Sequence, residues 1–81
     1  MQTIYTDTSN AAQRARLLDR LRTGPVSTFE ARKNLEIMHP AGRIKELKDQ
    51  GHKIEKLWVQ EETETGVLHR IALYVLTGGE A

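Results

Sequence analysis

The 81-residue chain contains no cysteine. That excludes a disulfide framework and a thiolate zinc site, and it suits a reducing cytoplasm, which is the expected location. Long apolar runs are missing as well. The longest, Ile71-Ala72-Leu73-Tyr74-Val75-Leu76, is far below the ~20 residues that a membrane-spanning helix needs, so no membrane association is expected. Met1-Gln2-Thr3-Ile4-Tyr5-Thr6-Asp7 has neither the basic start nor the apolar stretch of a secretory signal. The three histidines, His39, His52 and His69, have no short metal-ligand spacing, so no metal site is expected. There is no Ser-His-Asp logic and no phosphate-cradling glycine loop, which argues against an enzyme and against a cofactor. Large apolar side chains are few: 38% of the residues are apolar or aromatic, and seven of those are alanine. A chain of this length forms one domain at most and buries only about 60% of the surface its unfolded state exposes.

What is abundant is charge. The net of +1 hides an asymmetry. Residues 10–56 carry eleven Lys and Arg against six acids, a net of +5, whereas residues 57–81 carry Arg70 against Glu61, Glu62, Glu64 and Glu80, a net of −3. A basic block followed by an acidic one points to a polyanion or an acidic partner for the first part. Solvated helix faces can produce the same pattern.

Residues 1–8 carry little pattern and are expected to form a flexible arm; the domain is expected over 9–77, followed by a disordered tail at 78–81. Ser9 or Asn10 can cap a first helix, in which Leu17, Leu18 and Leu21 recur at helical spacing and Ala11, Ala12 and Ala15 extend the stripe backwards. Gly24-Pro25 stops it, glycine supplying a left-handed cap. Val26 is isolated and extended, a short strand at most. Ser27-Thr28-Phe29-Glu30 reads as a capping box for a short second helix ending near Asn34 or Leu35. Pro40 suits the first turn of a third helix, with Ala41, Ile44, Leu47 and a snorkelling Lys48 inward and Gly51 at its end. After Gly51 the period changes to that of strands: Ile54 to Val59, a polar tip from Glu61 to Gly66, then Val67 to Leu76 with apolar residues on both faces, which predicts good cover.

Helix, short helix, helix and hairpin, an α+β order, is that of a winged helix-turn-helix with a C-terminal antiparallel β-hairpin. Arg43-Ile44-x-x-Leu47-Lys48-x-x-Gly51-His52-x-Ile54, preceded by Gly24-Pro25-Val26-Ser27-Thr28-x-Glu30-Ala31, resembles the small winged helix-turn-helix domains of bacteria, bacteriophages and prophages. The resemblance covers about residues 11–76. It implies a DNA-binding protein, a small transcriptional regulator or a phage or prophage accessory factor, whose third helix (about 39–50) enters the major groove of double-stranded DNA. Two departures stand out. Glu36 occupies a turn position where the family prefers glycine, and the hairpin tip is acidic where a DNA-gripping wing offers Lys or Arg.

Within that frame Arg43 is the sharpest base-reading candidate, because a guanidinium pairs bidentately with guanine; an ion pair with Glu46 or Glu36 is its alternative. His39 and Gly42 lie in the amino-terminal half of the third helix, the half that reaches base edges, and His39 is equally a helix cap. Lys45 is a phosphate candidate on the helix flank. Thr28, at the start of the second helix, could hold a phosphate, and Arg32 and Lys33 could reach the backbone from that helix. Lys53, with Lys56, stands at the base of the hairpin, the part of the wing that could touch DNA. Trp58 and Tyr74 are expected in the core. One module covers only ~600–1,000 Å² of DNA, so useful affinity needs a dimer or paired sites; residues 1–8 or the outer strand edge could serve a homodimer. The rival reading is a protein-interaction module that uses the acidic hairpin or the basic helices on the same scaffold.

Overall fold

The computed structural model describes residues 9–77, so the expected arm and tail lie outside the described residues. Helix α1 (Asn10–Leu21) begins at Ser9, whose hydroxyl accepts from the Ala12 backbone N–H at 3.1 Å. Its buried row is Gln13, Leu17 and Leu21, each four residues apart. Ala11 and Ala15, expected to extend the stripe, are exposed, because the i±4 row through Leu17 runs back to Gln13 instead.

Strand β1 (Val26–Ser27) confirms the short strand and leads directly into α2 (Thr28–Asn34). Ser27 caps this helix by accepting from the Glu30 N–H at 3.1 Å. The expected return bond from Glu30 is replaced by an ion pair with Arg20 at 2.6 Å, which ties α2 to α1. The turn that follows is built around Ile37, which is fully buried and donates its N–H to the Ala31 carbonyl at 3.1 Å. Glu36 has φ 54°, the left-handed conformation that glycine adopts most easily. The glycine that the resemblance leads one to expect at this turn thus has a backbone cause, which this chain meets with a glutamate.

Helix α3 (Pro40–Asp49) starts with Pro40 in its first turn and buries Pro40, Ile44 and Leu47. Ala41 and Lys48, expected inward, are exposed. They lie on a flank roughly 100° from the buried row, given the 3.6-residue turn. His39 occupies the cap position but forms no capping bond through its side chain.

Strands β2 (Ile54–Glu62) and β3 (Leu68–Leu76) form an antiparallel hairpin, and the sheet order is β1-β3-β2. The register sets Ile54 opposite Leu76, Trp58 opposite Ala72 and Glu62 opposite Leu68. Glu61 and Glu62, expected at the tip, therefore belong to the strand, and the tip is closed by the Thr63 N–H donating to the Val67 carbonyl at 3.0 Å.

The core joins Leu17 and Leu21 of α1, Val26, Ala31, Leu35, Ile37, Ile44, Leu47, and Ile54, Ala72 and Tyr74 from the base of the sheet. Cover stops there. The hairpin outruns the helices, so Trp58 is 53% exposed and Leu68 61% exposed. The expectation of a core Trp58 and of a β3 covered along its length fails for that reason: β1 has only two residues, and three short helices shield only one end of a hairpin with nine-residue strands.

Ile37 plugs the turn between α2 and α3, so Ile37→Ala should lower stability by ~2–5 kcal/mol, the usual cost of truncating a fully buried isoleucine. The neighbouring Met38, 72% exposed, should tolerate the same change almost without effect. Urea unfolding of both variants checks the contrast.

Candidate nucleic-acid interface

The helical period fixes which residues of α3 can meet a ligand. With Pro40, Ile44 and Leu47 inward, Gly42, Lys45 and Asp49 point most directly away from the core. Lys45 is exposed and pairs with Asp49 one turn on, at 3.2 Å. Such a pair contributes only about 0.3–0.5 kcal/mol and yields readily to a phosphate. A Cβ added at Gly42 would meet only the Cβ of His39, at 3.9 Å, so packing does not demand glycine there.

Arg43 points elsewhere. Its side chain is 13% exposed and lies against α1. Its Nη1 donates to the Asn10 Oδ1 at 2.5 Å and its Nη2 to the Glu46 Oε2 at 2.9 Å. Arg14 of α1 reaches the same carboxylate at 2.8 Å. Glu46 therefore sits between two guanidinium groups and fastens the flank of α3 to α1. The hydrogen bond from Arg14 holds its carboxyl below the ordinary glutamate pKa; partial desolvation opposes this, and Arg43 reinforces it by charge and hydrogen bonding. Arg43 thus takes the ion-pair alternative with Glu46.

The other basic residues of α1 are similarly committed. Arg16 donates to the Leu35 carbonyl at 3.0 Å, and Arg20 holds Glu30 and the Gly24 carbonyl. Much of the basic block is thus internal mortar.

The opposite flank of α3 is different. Lys45, Lys48 and Ala41 face Lys56 and Tyr74 across a shallow notch of about 160 Å³. Three lysines line this notch, and the ammonium groups of Lys48 and Lys56 have no carboxylate partner among the described residues. Beyond it Lys56, Trp58 and Arg70 share the core-side face of the sheet, since opposite residues in an antiparallel pair point the same way. The Lys56 Nζ lies 5.0 Å and the Arg70 Cζ 4.5 Å from the Trp58 ring centre, close enough for cation–π attraction.

The remaining expected site residues do not join this surface. The Thr28 hydroxyl turns to the Ala72 carbonyl at 3.4 Å. Arg32 and Lys33 border an open groove of about 660 Å³ whose other wall is the acidic end of β2 and the tip beyond it, Glu61 to Glu64. Arg32 also donates to the Met38 carbonyl at 3.4 Å. Lys53 is exposed at the entry to β2, where its carbonyl accepts from the Thr77 N–H at 2.7 Å. Lys48, Trp58 and Arg70 were not anticipated on an exposed face. Strand alternation places Lys56 and Trp58 together, but only the register brings Arg70 beside them.

The chain folds as a capped three-helix unit with a protruding hairpin and an outward third helix. A family model of the winged helix-turn-helix domain matches residues 12–79. The chain belongs to that family. No curated protein and no solved structure matches it. In this winged helix the wing is acidic at its tip and basic along its shaft, and no helix among the described residues is long and apolar enough to cross a membrane.

Because the folded pKa of Glu46 is lowered, the stability it contributes is present above the ordinary glutamate pKa and is lost as pH falls through the folded value. Glu46→Gln should be less stable than the parent near neutrality, and the gap should close as pH is lowered through the carboxylate range. Urea midpoints across that range test this; a gap independent of pH would contradict it.

Proposed function

We propose that this winged helix binds double-stranded DNA, with the outward face of α3 in the major groove and the shaft of the hairpin against a neighbouring phosphate strand. The observation that carries this reading is the convergence of Lys45, Lys48 and Lys56 on one notch, continued by the Lys56–Trp58–Arg70 stack. Cations on two elements can neutralise successive phosphates, and stacking on Trp58 keeps two of them extended at small entropic cost. B-DNA's major groove, about 12 Å wide, admits a helix such as α3. His39, Gly42 and Lys45 then lie nearest the base edges. Lys48, Lys56 and Arg70 serve as phosphate contacts. Arg43 acts as a positioning residue, because reading a base would require it to leave Glu46 and Asn10.

Thr28 belongs to the scaffold in this reading. Arg32 and Lys33 stand across from the acidic tip and offset its charge. A role as a small transcriptional regulator or a phage or prophage accessory factor rests on the sequence resemblance. The larger groove between α2 and the tip favours a second reading, in which Phe29 and the tip carboxylates hold a protein partner. Cytoplasmic residence and the absence of catalysis, cofactor and metal complete the proposal.

Trp58 is the only tryptophan, so its fluorescence reports on the shaft. Titration with duplex DNA at ~50 mM salt should change its emission, and log K should fall with log salt by about 0.9 per neutralised phosphate. Lys48→Ala and Lys56→Ala should each reduce that slope by about 1 and weaken all sequences alike. Gly42→Ala should raise helix stability by up to ~1 kcal/mol while weakening DNA binding, if the duplex approaches the backbone there. Absence of binding to any duplex under these conditions would transfer the reading to the protein partner.

A further inference from the structure

The hairpin's outer strand has a free edge. β2 pairs with β3 on one side, and among the described residues no strand pairs with its other side. Five of its nine residues in succession from its start are Ile54, Glu55, Lys56, Leu57 and Trp58, and all but Ile54 are exposed. An uncovered edge of this length presents unpaired backbone donors and acceptors to any matching strand.

The charge along that edge is graded. Lys53, Glu55 and Lys56 stand at its start, a net of +1, and Glu61 and Glu62 at its end, with Glu64 just beyond. None of these three carboxylates forms an ion pair among the described residues. A parallel copy would set like charges side by side. An antiparallel copy would set the basic start of each strand against the acidic end of the other.

We propose that β2 pairs antiparallel with β2 of a second copy of this chain, about a two-fold axis at Val59, forming a homodimer with one continuous six-stranded sheet. In this register Lys56 opposes Glu62 of the other copy, and symmetry makes the contact twice. Val59 meets its own counterpart. Leu57, 48% exposed in the single chain, lies diagonal to Val59 of the other copy. These residues share the sheet face that also carries the half-buried Leu73 and Val75. Moving the axis to Trp58 would set Glu55 against Glu61, so the charges favour Val59. The pairing places both Trp58 faces on the same side of the joined sheet. It stands without DNA, although it would give the proposed DNA-binding surface a second half.

Sedimentation equilibrium of the full chain without DNA tests the dimer, and disulfide trapping tests its register. Mass should rise toward twice that of the chain with concentration. Lys56→Glu and Glu62→Lys should each weaken association roughly tenfold, since each reversal acts twice, and the double variant should regain it. The chain has no cysteine of its own, so Val59→Cys should be linked to a covalent dimer by a mild oxidant, its Cα atoms lying ~4.5–5.5 Å apart. Leu57→Cys, four residues out of register with its counterpart, should not. A monomer up to ~1 mM, or linking at 57 as efficient as at 59, would overturn the proposal. Duplex binding by the monomeric Glu62→Lys variant, measured separately, distinguishes failure of this dimer from failure of the DNA reading.

Discussion

The setting of α3 depends on what α1 takes from it. Leu17 and Leu21 share a core with Ile44 and Leu47, and Glu46 is gripped from both sides by Arg14 and Arg43. Ion pairs near the surface contribute little to stability. Their consequence here is rotational. With one flank of α3 fastened to α1, Gly42 and Lys45 project outward and Lys48 turns toward the hairpin. A winged helix presents its third helix by this kind of seating, and the groove-facing residues follow from the rotation rather than from charge alone.

The small core has a second consequence. Three short helices cannot cover a hairpin with nine-residue strands, so the shaft leaves the protected layer. An uncovered tryptophan there would be a liability, but Lys56 and Arg70 lie against its ring and make it part of a basic, aromatic surface. The same lack of cover leaves the outer edge of β2 open. Surface chemistry and edge availability thus have one origin, the mismatch between helical layer and hairpin length.

The element order was legible because local signals were strong: a serine cap before α1, a serine cap at Ser27, proline opening α3 and glycine following it. Val26 as a strand was legible from its isolation between a stop and a start. The buried plug at Ile37 was not, since apolar residues in a turn have no period. Trp58 was misjudged because strand alternation gives a residue's face but not how far the neighbouring layer extends. Arg43 illustrates the hardest case. Its type and its place near the start of the third helix fit base reading, whereas its engagement depends on Asn10, 33 positions away in the chain. Sequence spacing brings Lys45 and Lys48 together, but Lys56 meets them only through the packing of α3 on the sheet, and Arg70 joins Lys56 at Trp58 only through the hairpin register.

The central claim is that one continuous surface, from the start of α3 across the lysine notch to the Trp58 shaft, meets the duplex. Backbone amide and indole NMR shifts recorded during titration with duplex DNA test it most directly. The account requires the largest changes at His39, Gly42, Lys45, Lys48, Lys56 and the Trp58 indole, with Arg32, Lys33 and the Glu61–Glu64 wall little affected. Changes concentrated in the groove between α2 and the hairpin tip, with α3 silent, would contradict it.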